Sequence, residues 1–123
     1  MFSPVENVWS PAHQAIEDGN LDALACLLDA GVDPNEVCSG LTLLAHAVDY
    51  EADTAIQAGD EMRVTFTAVL FAYGASPQSI NGSVDPLGLA DSYGHAMAKR
   101  LIERFSTPAV DRDLHVWDAA CRR

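Results

Sequence analysis

Apolar residues in this chain recur at spacings of three and four, punctuated by glycines and by turns that contain proline. The clearest stretch is Leu21, Leu24, Leu27 and Leu28, which fall on one side of a helix. Ahead of it, Ser10-Pro11 predicts a helix start. The serine oxygen can accept from an unpaired backbone N–H, and proline loses nothing at a first helical position. That helix is short, because Gly19 follows and can adopt the left-handed stop. Asn20 can cap the second helix, Gly31 ends it, and Asp33-Pro34-Asn35 supplies turn chemistry. The unit therefore reads helix, tight turn, helix, loop. Cys26, within the apolar helix, is expected to be buried filler.

The same order returns twice. Gly40-Leu41-Thr42-Leu43-Leu44-Ala45-His46-Ala47 opens a second short helix with Thr42 in the capping place, and Ala47 lies 32 residues after Ala15. Its outer helix carries Phe66, Val69, Leu70 and Phe71 and ends at Gly74. From Gly31 to Gly74 the spacing is 43, so this copy holds about ten extra residues, placed at about 51–60. The insert either prolongs the inner helix or forms a loop. A third copy begins at Asp85-Pro86-Leu87-Gly88-Leu89-Ala90, preceded by the tight-turn signal Asn81-Gly82. Gly94-His95 then matches Gly19-Asn20, so His95 is expected to cap an outer helix lined by Leu101, Ile102 and Phe105.

Residues 10–35 contain S-P-A-H-Q-A, then G-N, then L-L-D-A-G-V-D-P-N. This resembles the ankyrin-repeat family, whose pattern is T-P-L-H-x-A, G-[HN] and L-L-x-x-G-A-D-x-N. The resemblance covers about residues 7–105, with Ala45 and Gly88 standing where the family has histidine. It implies an all-α solenoid of helix-turn-helix units with hairpin-like finger loops. The whole of 1–123 is then a single domain: repeat 1 at about 9–39, repeat 2 at about 40–81, repeat 3 at about 82–105, and a C-terminal cap at 106–123. Three units are close to the minimum for a stable stack, since no unit buries its apolar face alone. In the cap, Leu114, Trp117 and Cys121 share a helical spacing that can cover the last repeat.

Composition narrows the function classes. An apolar content of 49% with 20% charged residues is that of a globular protein. Eighteen acidic against seven basic side chains give a net charge of −11. Nucleic acid and anionic membrane surfaces are therefore poor partners, and a basic protein is a good one. Three cysteines without a C-x-x-C spacing argue against a disulfide framework. No secretory signal and no membrane-length apolar run are visible, so the expected location is cytoplasmic.

Catalytic and metal chemistry find little support. The histidines and cysteines show no metal-ligand spacing, and no glycine-rich phosphate loop occurs. Cys38 lies near Glu36, whose charge disfavours a thiolate. Glu17-Asp18 and Asp60-Glu61 are adjacent in sequence, whereas hydrolytic carboxylates flank a cleft from separate elements. No enzymatic activity and no cofactor are expected.

The resemblance instead implies binding through the concave side of the stack. His13 occupies the family's structural histidine position, where the ring bonds to neighbouring backbone. The exposed candidates are Trp9, Gln14, Glu17 and Asp18 from the first unit, and Cys38, Ser39, Leu41, His46, Asp49 and Tyr50 from the second. Ser83, Leu89, Ser92 and Tyr93 come from the third. His46 is expected to point toward that surface, and the insert to contact the partner. Aromatic residues bordered by carboxylates suit a hot spot with an acidic rim. The expected function is a non-enzymatic module that binds a basic protein, in its sharpest form an inhibitor or immunity-type protein. The alternative is a structural protein that self-associates through Leu41, Leu89 and the segment around Trp117, although a monomer is favoured.

Overall fold

A computed structural model of the chain describes residues 9–106. The expected cap, with Leu114, Trp117 and Cys121, lies outside the described residues. Six helices and one small hairpin follow in order: α1 (Pro11–Glu17), α2 (Leu21–Asp29), β1 (Val37–Cys38), β2 (Leu41–Thr42), α3 (Leu43–Ala58), α4 (Thr65–Ala72), α5 (Pro86–Tyr93) and α6 (Ala96–Ser106).

The helix starts form where the capping residues stand. The Ser10 hydroxyl accepts from the His13 N–H, Asn20 from Ala23, Thr42 from Ala45 and Asp85 from Leu87. His95 caps α6 through Nδ1, which accepts from the Ala98 N–H at 3.4 Å, while its Nε2 meets the Arg63 carbonyl at 2.9 Å. Each cap satisfies a backbone donor that the helix itself leaves unpaired.

The helices pack as three successive pairs, α1 with α2, α3 with α4 and α5 with α6. The first members also touch in a row, α1 to α3 to α5. Between them lies a core that includes Ile16, Leu24, Leu43, Leu44, Val48, Leu70 and Ile102, each no more than 1% exposed. Burying each such side chain contributes roughly 1.5–3 kcal/mol. On α2 the buried stripe is Leu24 and Leu28, with Leu21 and Leu27 half-buried beside it. Cys26 is exposed, contrary to the expectation that it fills the core. The stripe at positions 21, 24 and 28 turns position 26 toward solvent.

One feature corrects a purely α-helical fold. Val37 and Cys38 pair with Thr42 and Leu41 in an antiparallel hairpin. Its turn, Ser39-Gly40, has φ of 53° and 78°, the doubly left-handed geometry that suits a two-residue hairpin. Asn81-Gly82 makes the same kind of turn, with φ of 50° and 76° and a 3.0 Å bond from the Ser83 N–H to the Ile80 carbonyl. No strands flank that second turn. A 2.9 Å bond from the Val84 N–H to the Gly40 carbonyl joins the two turns.

The insert prolongs the inner helix. α3 runs for 16 residues against seven in α1 and eight in α5, and it stops at Gly59 in the left-handed conformation.

Candidate functional site

Two polar contacts and one aromatic ring contact tie the inner helices to their neighbours. On α1, Glu17 is half-exposed, and its Oε1 lies 2.8 Å from His46 Nε2 on α3. On α5, the Tyr93 hydroxyl donates to the Asp49 carboxylate on α3 at 2.6 Å. That bond, with burial and the Asp49 charge adding, pushes the Tyr93 phenol up to about 12. Tyr50 packs its ring edge-on against Phe66, with centroids 5.6 Å apart, and its hydroxyl lies over Gly19. A Cβ at Gly19 would collide with that hydroxyl, and its φ of +68° already favours glycine.

His46 departs from expectation. It is 1% exposed and does not face the surface. α1 covers one edge of its ring, and the Trp9 ring lies against it, tilted by 33°, at a centroid distance of 4.3 Å. His46 stands one residue past the family's histidine position, and the packing of α3 on α1 turns it into the junction between the first two helix pairs. There its Nδ1 lies 2.8 Å from His13 Nδ1. His13 itself is fully buried, and its Nε2 faces the Glu36 backbone carbonyl at 3.4 Å. Burial holds the His13 pKa below the ordinary histidine value, with the nearby His46 acting in the same sense and the Glu36 carbonyl opposing. The Glu36 carboxylate accepts from the Ser10 hydroxyl, which closes the finger onto the start of α1.

The other expected contact residues divide into two groups. Asp18 and Ser92 are exposed, while Trp9, Gln14, Leu41, Asp49, Tyr50, Leu89 and Tyr93 are half-buried. Gln14 donates to Asp18 at 2.9 Å along α1. On the linked turns, Ser39 is exposed, Cys38 and Ser83 are half-buried, and the apolar Val37 and Val84 are more than 40% exposed.

Glu51, the first residue of the insert, has a structural role that sequence reasoning missed. It is 5% exposed and accepts from the Phe66 N–H at 2.7 Å, the Thr67 N–H at 3.3 Å and the Thr67 hydroxyl at 2.7 Å. Helix α4 has Val64 at its cap position, and the valine side chain offers no acceptor. Glu51 fills that role from another helix. Burial raises its pKa above the usual carboxylate value, while the three hydrogen bonds act against that shift. The signal available in the sequence was a helix start without Ser, Thr, Asp or Asn. A cleft of about 270 Å³ opens beside it, between the prolonged end of α3 and α4, with Thr54, Asp60, Glu61 and Arg63 in its wall.

A family model described as ankyrin repeat matches residues 9–36. The chain carries an ankyrin repeat. The matched segment spans α1 and α2 and ends just before β1, so the repeat's helix-turn-helix is the first helix pair. No curated protein matches the chain, and no solved structure does. Ankyrin repeats generally mediate protein–protein interaction and are typically not catalytic. Among the described residues, no group of three His, Cys, Asp or Glu is arranged to hold a metal ion. No helix among them is long and apolar enough to cross a membrane.

Proposed function

We propose that the chain is a protein-binding module in which three ankyrin-type units present an acidic surface to a basic protein partner. In this reading the second and third helix pairs are degenerate repeats stacked on the first. The docking residues are Trp9, Gln14, Glu17 and Asp18, with Leu41, Asp49 and Tyr50, and then Leu89 and Tyr93. His46 belongs to the support beneath them. The observation that carries the reading is the sequence of carboxylates along the inner helices, Glu17 and its C-cap neighbour Asp18 at the end of α1 followed by Asp49 and Asp53 on α3, together with partly exposed Tyr50 and Tyr93. Carboxylates around aromatic rings suit recognition of lysine- or arginine-rich surfaces, by charge for encounter and by ring contact for affinity. The sharpest form of the proposal is an inhibitor or immunity-type protein that occupies the basic site of one dedicated partner.

Affinity capture from host lysate at low and high salt tests this. The expected result is one stoichiometric basic protein that is released as salt rises, because exposed charge pairs are screened. A partner that is acidic or salt-indifferent, or a discrete homo-oligomer with no partner, contradicts it.

A further inference from the structure

The insert that prolongs α3 also builds most of the cleft beside it. Glu51, Ala55, Ala58 and Asp60 come from the insert, and Phe66 comes from the start of α4. At about 270 Å³ the cleft falls just below the size of small-molecule pockets, roughly 300–1,000 Å³, and fits one side chain better than a cofactor. Its buried wall is Glu51, 5% exposed, held by donors from Phe66 and Thr67. Among the described residues no Lys, Arg or His forms an ion pair with Glu51. Buried charges are ordinarily paired, and the start of α4 offers only the partial positive charge of a helix end. Asp60 and Glu61 stand exposed in the same wall, also without an ion pair among the described residues. Arg63 is the single cation in that wall, and it pairs with none of the three.

We infer that this cleft is a socket for one long cationic side chain, lysine or arginine, of a basic protein partner. The inference rests on the reading of the chain as a binder of a basic protein, and it adds a place where one residue of that partner enters. Three carboxylates against one guanidinium make the cleft complementary to a cation. Ala55, Ala58 and Phe66 supply an apolar lining between those charges. Lysine and arginine match such a lining, because their methylene stems bury against apolar surface while the head stays with polar groups. The entering cation supplies the countercharge that Glu51 lacks, while Asp60 and Glu61 draw it in from solvent.

NMR of the nitrogen-15-labelled full chain, titrated with n-butylguanidinium, tests the socket without any partner protein. The neutral n-butylurea serves as the control of equal shape. The expected result is a saturable shift of the Thr54, Ala55, Ala58, Phe66 and Thr67 amides with the cation and none with the urea. The double variant Asp60→Asn with Glu61→Gln should weaken binding about three- to tenfold, as expected for losing two exposed charge contacts. Ala58→Leu, which narrows the cleft at an exposed position, should abolish the shift while the rest of the spectrum stays in place. The inference is overturned by shifts spread evenly over the acidic surface, by equal binding of the urea, or by unchanged affinity in the double variant. A cleft already neutralised by Arg63 gives no saturable shift, which overturns it too. Because the probe replaces the partner, such a failure strikes the socket alone, whereas failure of the wider docking surface shows only in capture from lysate.

Discussion

Glu51 accepts a 2.7 Å hydrogen bond from the Thr67 hydroxyl, and with it one helix supplies the cap that the next helix lacks. The two residues are 16 apart in sequence, yet the bond is fully buried. It gives the insert a structural purpose, because the residue that opens the prolonged part of α3 is also the one that fixes the start of α4.

Replacing Glu51 by alanine should therefore cost about 1–3 kcal/mol in urea unfolding, since two backbone donors lose their acceptor in a buried place. Glu51→Gln should cost less, because one oxygen is kept. The pH dependence has a definite sign. The folded chain binds a proton at Glu51 more tightly than the unfolded chain, so stability falls as pH rises from the ordinary carboxylate value through the raised one. Glu51→Gln should flatten that slope.

On α2, Leu24→Ala should destabilise by roughly 2–5 kcal/mol, as expected for a fully buried leucine. Leu27→Ala should cost less, because Leu27 is only half-buried. Cys26→Ser should change stability by less than about 0.5 kcal/mol, and the native protein should react with a thiol alkylating reagent at Cys26. A protected Cys26 would mean that α2 is rotated from the position described.

Tyr93 should titrate later than an ordinary tyrosine, near 12, in a phenolate absorbance titration. Asp49→Asn should move it back toward the ordinary value, since the Asp49 hydrogen bond is the largest cause of the shift. The sign for stability follows from the raised value: the contribution is intact below the unfolded tyrosine pKa and is lost as pH climbs through the folded one. No change on Asp49→Asn would detach Tyr93 from α3.

His13 should stay neutral in an NMR titration as pH falls below about 6.5, the unperturbed histidine value. The unfolded chain takes up that proton and the folded chain refuses it, so His13 makes stability fall toward acid.

Much of this architecture is local and so could be read from the sequence. Ser10, Asn20, Thr42 and Asp85 cap the helices they precede, and Gly94-His95 repeats the junction made by Gly19-Asn20. Each depends on a few neighbouring residues. What escaped depends on neighbours distant in sequence. His46 and His13 meet across 33 positions, and only the packing of α3 on α1, with Trp9 above, takes His46 out of solvent. Cys26 sits in an apolar stretch, yet the stripe through Leu24 and Leu28 decides which side of α2 is covered. The β1–β2 hairpin was expected only as a finger-like loop, because two-residue strands have too little length to show an alternating pattern.

The central claim is that a basic protein docks on the acidic side of the inner helices, and charge reversal tests it most directly. Capture from host lysate should be compared for the wild type, the double variant Asp18→Lys with Asp53→Lys, and the control Asp22→Lys on exposed α2. The account predicts a basic partner that is held by the wild type and by Asp22→Lys and lost with the double variant. Retention by the double variant, or equal loss with Asp22→Lys, would contradict it.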